Sequence, residues 1–188
     1  MSSPDAAPDS APDADRRSRV LGSAMATFAR LGYRKTSMEE VARAAHISRP
    51  GLYFLFSSKE ALFRAAATQT VERDLGAIEH LLADTDRPLP DRLVDAFDRW
   101  AGRYIGPLAG DITAVIEDNP HLLDEITESA PRRFEELITD AITHTSTRES
   151  ATPVARTLIS TSIGLKQQAR AREFYTARMR TAISLLVH

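Results

Sequence analysis

The chain contains no cysteine, which removes disulfides, zinc fingers, iron–sulfur clusters, thiol nucleophiles and thiol redox sensing from consideration. Glycine is scarce, with eight residues in 188 against the roughly 7% of an average chain. No glycine-rich phosphate loop and no Gly-x-Ser-x-Gly elbow occurs. There is no run of about 18 apolar residues, and no basic start leads into an apolar block with a small-residue cleavage site. A cytoplasmic protein with no membrane partner is expected. The five histidines, at 46, 80, 121, 144 and 188, form no close metal-binding pair, and Asn119-Pro120 interrupts Glu117 and His121. Carboxylate pairs such as Glu39-Glu40, Asp124-Glu125 and Glu135-Glu136 are direct neighbours, which diverge by about 100° on a helix and so make no acid/base pair on one face. Neither an enzyme, a metal site nor a cofactor is expected.

What is present is the composition of an ordinary soluble globular chain, 43% hydrophobic and 27% charged, long enough for one or two domains. The net charge of −2 hides an uneven distribution. Residues 1–15 carry four Asp and no base, residues 16–70 carry a net +7, and residues 71–188 a net −5. A basic block joined to an acidic remainder is the asymmetry of a module that meets a polyanion. On charge alone, a merely solvated face explains it about as well.

Along the chain, nothing alternates as a strand does. MSSPDAAPDSAPDAD has almost nothing to bury and reads as a disordered acidic tail over 1–15. Val20, Leu21, Ala24, Phe28 and Leu31 then recur at helical spacing up to Gly32, placed as a C-cap. Two overlapping capping boxes, Thr36-x-x-Glu39 and Ser37-x-x-Glu40, open a short second helix with Met38, Val41, Ala42 and Ala45 on one face. After His46-Ile47, Ser48 is placed to cap a third short helix through Phe54, with Pro50 in its first turn. Ser57-Ser58-Lys59-Glu60 starts a long helix, whose span from Lys59 to Ala83 would be about 37 Å, enough to couple two modules. Prolines at 88, 90, 107, 120, 131 and 153 punctuate further helical segments, with Pro131 predicting a kink or a break and two last helices expected near 153–171 and 172–187.

Two short helices joined by a tight turn have the geometry of a helix-turn-helix, whose second helix enters the DNA major groove. Ser48, Arg49, Pro50 and Gly51 would form the end that approaches the bases, and Arg49 can donate two hydrogen bonds to a guanine edge. Glycine inside so short a helix costs about 1 kcal/mol relative to alanine, so Gly51 points to a close approach or a special backbone angle. Lys59 opposes the helix dipole unless an anion sits beside it, and a DNA phosphate would supply one. Thr36 and Ser37 at a helix start, and the Tyr53 hydroxyl, are further phosphate-contact candidates. A partly buried aromatic is an equal alternative for Tyr53.

These blocks fall in order. Phe28-Ala-Arg-Leu-Gly-Tyr33, Thr36-Ser-Met-Glu-Glu-Val-Ala42, Ile47-Ser-Arg-Pro-Gly-Leu-Tyr53 and Phe56-Ser-Ser-Lys-Glu-Ala-Leu62, within residues 17–63, resemble the DNA-binding domain of the TetR family of transcriptional regulators. The resemblance implies an all-α fold of about nine helices. An N-terminal three-helix helix-turn-helix DNA-binding domain over 16–62 would precede a C-terminal helical effector-binding and dimerisation domain over 63–188. It further implies a homodimer, a double-stranded palindromic operator as partner, and a small-molecule effector that releases a repressor from it. Thr36, Ser37, Arg49, Pro50, Gly51, Tyr53 and Lys59 take the positions of expected DNA contacts. His46 stands where the family usually has its turn glycine, and a positive φ is tolerable there for histidine but not free of cost.

For the second domain the resemblance is one of architecture. In Leu158-Ile-Ser-Thr-Ser-Ile-Gly-Leu-Lys166, Ser160 and Gly164 form a small-residue stripe that admits another helix. With Leu158, Phe174, Met179, Ile183 and Leu186 it suits dimerisation through the last two helices of each subunit, the alternative being an intrachain core. Two half-sites about 34 Å apart would give a dimer twice the contact of one module. Trp100 and Tyr104, expected at i and i+4 on one helix, are candidate pocket walls with Ile116, Phe134 and Ile138, though such a stripe is more often a plain core. Arg103, His121, Arg132 and Lys166 are polar candidates for a ligand. A constitutive or protein-partner-controlled DNA binder without a pocket is the alternative function.

Overall fold

The computed structural model describes residues 11–105, 124–144 and 147–187. Among them are eight α-helices and one 3-10 turn, with no strand. The helices are α1 (Ala11–Leu31), α2 (Met38–Ala44), α3 (Arg49–Leu55), α4 (Lys59–Ala83), α5 (Leu89–Trp100), α6 (Asp124–Thr143), α7 (Arg148–Gln168) and α8 (Arg172–Leu186), and the 3-10 turn Gly102–Tyr104 follows α5. The chain divides into two compact units between Gln69 and Thr70, inside α4 rather than at its first turn.

The first unit closes on an apolar centre of Val20, Leu21, Ala24 and Phe28 from α1, Val41 and Ala42 from α2, Leu52 from α3, and Leu62, Phe63 and Ala66 from α4. Phe28, Tyr33 and Phe63 pack ring against ring, with centroids 5.0 to 5.7 Å apart. α1 begins earlier than its hydrophobic pattern does. Residues 11–15, expected in the tail, are helical, because Asp13 sits favourably in the first turn and Asp15 pairs with Arg19 one turn on. The tail's first ten residues lie outside the described residues.

The second unit is a helical cluster in which α6 packs on α7 and α8 packs on both α5 and α7. Leu93, Phe97, Phe134, Ile138, Leu158, Tyr175, Met179 and Ile183 fill its core. α6 runs through Pro131 as one helix. α7 starts at Arg148, ahead of the expected proline start, and carries Pro153 in its second turn, where the missing N–H costs one intrahelical bond. Among the described residues no helix is long and apolar enough to cross a membrane.

Candidate nucleic-acid interface

The turn between α2 and α3 is set by backbone chemistry at both ends. α2 ends in a Schellman motif: the Ile47 N–H donates to Ala42 O at 3.0 Å and the His46 N–H to Arg43 O at 3.2 Å. That closure needs a left-handed residue, and His46 supplies it at φ 54. Two residues later the Ser48 hydroxyl accepts the Gly51 N–H at 3.1 Å, capping α3. Gly51 has no positive φ, so a special backbone angle is not its reason. A Cβ there would lie 3.0 Å from Ser48 Oγ, which makes Gly51 a partner of the cap.

Of the two overlapping capping boxes only Ser37–Glu40 forms. The Ser37 hydroxyl accepts Glu40 N–H at 3.2 Å, and Glu40 accepts the Ser37 N–H at 2.8 Å. The Ser37 N–H and hydroxyl together hold the Glu40 carboxyl below its ordinary range. Thr36, a candidate phosphate contact, is buried, and its hydroxyl donates to Gly32 O at 2.8 Å. The helix starts one residue later than its box predicts, which turns Thr36 inward and leaves Ser37 at the surface.

Lys59 also departs from expectation. Its ammonium donates to Tyr33 O at 3.1 Å and Thr36 O at 3.2 Å and lies 4.5 Å from the centroid of the Tyr33 ring. The conflict with the α4 dipole is thus relieved inside the domain, without a phosphate. Arg17 performs a related service that sequence reasoning missed: it donates to Leu55 O, the end of α3, at 3.3 Å, with its guanidinium 4.4 Å from the Phe56 ring centroid. Ser48, Arg49, Pro50 and Tyr53 are exposed, and Arg49 lies 5.7 Å from the Tyr53 ring centroid. The structure therefore brings these candidates together on one outward face of α3.

In the second unit the candidate pocket residues separate. Phe134 and Ile138 are core; Trp100 stacks on Phe134 with centroids 4.5 Å apart. Tyr104 shares no helix with Trp100, because α5 ends at Trp100 and Tyr104 closes the 3-10 turn. Gly102 permits that ending, since a Cβ there would lie 3.0 Å from the Tyr175 ring. Ile116 and His121 lie outside the described residues. Asp74, unremarked in the sequence, is the hub of the region: 3% exposed, it accepts from Arg99 at 2.9 Å, Arg103 at 2.8 Å and the Tyr104 hydroxyl at 2.7 Å. Burial first, and then the Asp74 bond, push the Tyr104 phenol up to about 12. Among the candidate dimer residues, Leu158, Met179 and Ile183 are fully buried in the chain's own core, because they lie on the faces where α7 and α8 pack within one chain. Ser160, Phe174 and Leu186 are exposed, and Ile163 and Leu185 join them. Gly164 faces open space.

The family model for bacterial regulatory proteins of the TetR family matches residues 20–66, the segment that carries this capped pair of helices. Over this segment the chain is similar to the regulators of the TetR family. Two relatives come from Escherichia coli K12. The HTH-type transcriptional regulator RutR is 27% identical over 128 residues, covering 57% of this chain and 60% of its own length. The HTH-type transcriptional repressor ComR is 31% identical over 128 residues, covering 59% and 60%. The chain thus spans about 60% of the length of these curated relatives. The TetR fold extends further than the sequence likeness. The crystal structure of a TetR-family transcriptional regulator from Mesorhizobium loti superposes with a TM-score of 0.75 over 92% of this chain and 95% of that one, at 19% identity.

Proposed function

We propose that this chain is a TetR-family DNA-binding transcriptional repressor that places α3 of each subunit of a homodimer in the major groove of a palindromic operator and leaves it when a small molecule binds the second unit. The observation that carries the reading is the outward face of α3, where Arg49, Pro50 and Tyr53 stand together in a segment of net charge +7. The α2–α3 turn that presents it is fixed by a Schellman closure and a serine cap. The regulator and repressor names of RutR and ComR support the same role. The partly exposed Trp100 ring stacked on Phe134 supports an effector with apolar or aromatic character.

Ile163, Phe174, Leu185 and Leu186, exposed on α7 and α8, support dimerisation there. Leu185→Glu is expected to convert the dimer to monomer in sedimentation velocity, with the helical circular dichroism unchanged.

The deciding experiment selects duplexes from a random-sequence library with the purified protein, then titrates the selected duplex against a scrambled one at about 150 mM salt, since phosphate contacts make affinity fall steeply with salt. Selective binding supports the reading, and equal weak binding to both overturns it. A thermal-shift screen on the same protein tests for the effector.

A further inference from the structure

Phe54 is the most exposed large apolar side chain among the described residues, at 91%. Its place on α3 is informative. At 100° per residue, the fully buried Leu52 defines the inward direction, and Phe54 lies about 160° away from it, with Pro50 one turn before it. Tyr53 lies about 100° to one side of Phe54, and Arg49 about 40° further round. Phe54 and Pro50 are thus the α3 residues turned furthest from the first unit's core, at one side of the exposed arc that also holds Tyr53 and Arg49, whereas Leu185 and the other strongly exposed apolar residues are on α7 and α8.

The side chain has no polar atom, so it can make no hydrogen bond to a phosphate or a base edge. What it can read is an apolar feature. In the major groove the thymine C5-methyl group is the one apolar feature that distinguishes a base pair, and phenylalanine is among the residues that contact it. The net charge of +7 over residues 16–70 and the exposed Arg49 at the start of the same helix favour a polyanion over an apolar protein surface as the occupant of this face.

We propose that Phe54 packs on the C5-methyl group of a thymine in each operator half-site and so sets part of the sequence preference. This rests on the DNA-binding reading above and adds a specificity residue to it. The test uses the duplex that the wild-type protein selects from the random library. Each thymine of a half-site is replaced singly by deoxyuridine, which keeps the base pair and removes only the methyl. Binding of wild type, Phe54→Ala and Arg49→Ala is followed by fluorescence anisotropy at one salt concentration, with circular dichroism confirming the fold.

At one thymine per half-site the wild type is expected to lose about fourfold in affinity, the factor that burying one methyl-sized group supplies. Arg49→Ala should keep that difference, and Phe54→Ala should bind the thymine and uracil duplexes equally. Loss at no position, or the same loss in Phe54→Ala as in wild type, overturns the assignment while the DNA-binding reading stands. If the wild-type protein selects no duplex at all, that reading falls and the assignment falls with it.

Discussion

Lys59 shows how a charge that suggests a ligand can be spent at home. Its ammonium is held by two carbonyls and a ring of its own domain, so Lys59→Ala should lower stability by about 1–3 kcal/mol, read as an earlier urea midpoint. The slope of log Kd against log salt should change by less than the unit or so that a lost phosphate contact produces. A full unit lost with an unmoved midpoint would restore the phosphate role. The tyrosines give a second residue-scale expectation. Burial is the first cause that pushes Tyr104 and Tyr175 up to about 12, and it also raises Tyr33. A phenol whose folded value lies above its unfolded value of 10.0 holds its proton more tightly when folded. Its contribution is therefore intact below pH 10 and is lost as pH climbs toward 12. Denaturation followed across that window should show the decline, and Tyr175→Phe, which gives up the Ser162 contact at 2.7 Å, should shallow it. Asp74 and Phe54 were legible in principle: Asp74 shares the helical stripe of Val71 and Ile78, an odd place for a lone acid, and Phe54 lies opposite Leu52. Thr36 was not, since two boxes overlap and only packing selects one.

At the scale of elements, α3 is too short to hold itself, because seven residues give few internal hydrogen bonds. Its cap therefore matters. Ser48→Ala should cost about 1 kcal/mol and weaken operator binding together with stability. Gly51→Ala should be close to neutral alone, the gain in helix propensity being offset by the 3.0 Å approach to Ser48 Oγ. In the Ser48→Ala background the same change should stabilise by up to about 1 kcal/mol, and chemical denaturation of the four proteins checks the coupling. The helix order was readable because caps and apolar spacing agree in the first unit, where Gly32, Ser37, Ser48 and Ser58 each end or start a helix as their chemistry dictates. The starts of α1 and α7 were not, since the ion pair of Asp15 with Arg19 and the burial of a lone alanine, Ala151, ahead of Pro153 leave no apolar periodicity to read. The dimer stripe was half readable: periodicity marks which positions are apolar, and cannot say whether Leu158 or Ile163 faces the chain's own core.

For the whole molecule, the distribution of charge and of exposed apolar surface follows one division. The basic segment and the Tyr53–Phe54 pair belong to the first unit, and the apolar residues of α7 and α8 to the acidic second one. The sole tryptophan follows the same division. Trp100 lies against Phe134, wholly inside the unit from Thr70 onward, so its emission is blind to the melting of α1, α2 and α3. Helical circular dichroism sees both units. Heating the protein while recording the two signals therefore measures the cooperativity of the chain without any label: one shared transition means that the units unfold as a single thermodynamic body, and a dichroism change that precedes the fluorescence change means that the DNA-facing unit can come apart while the other stays intact.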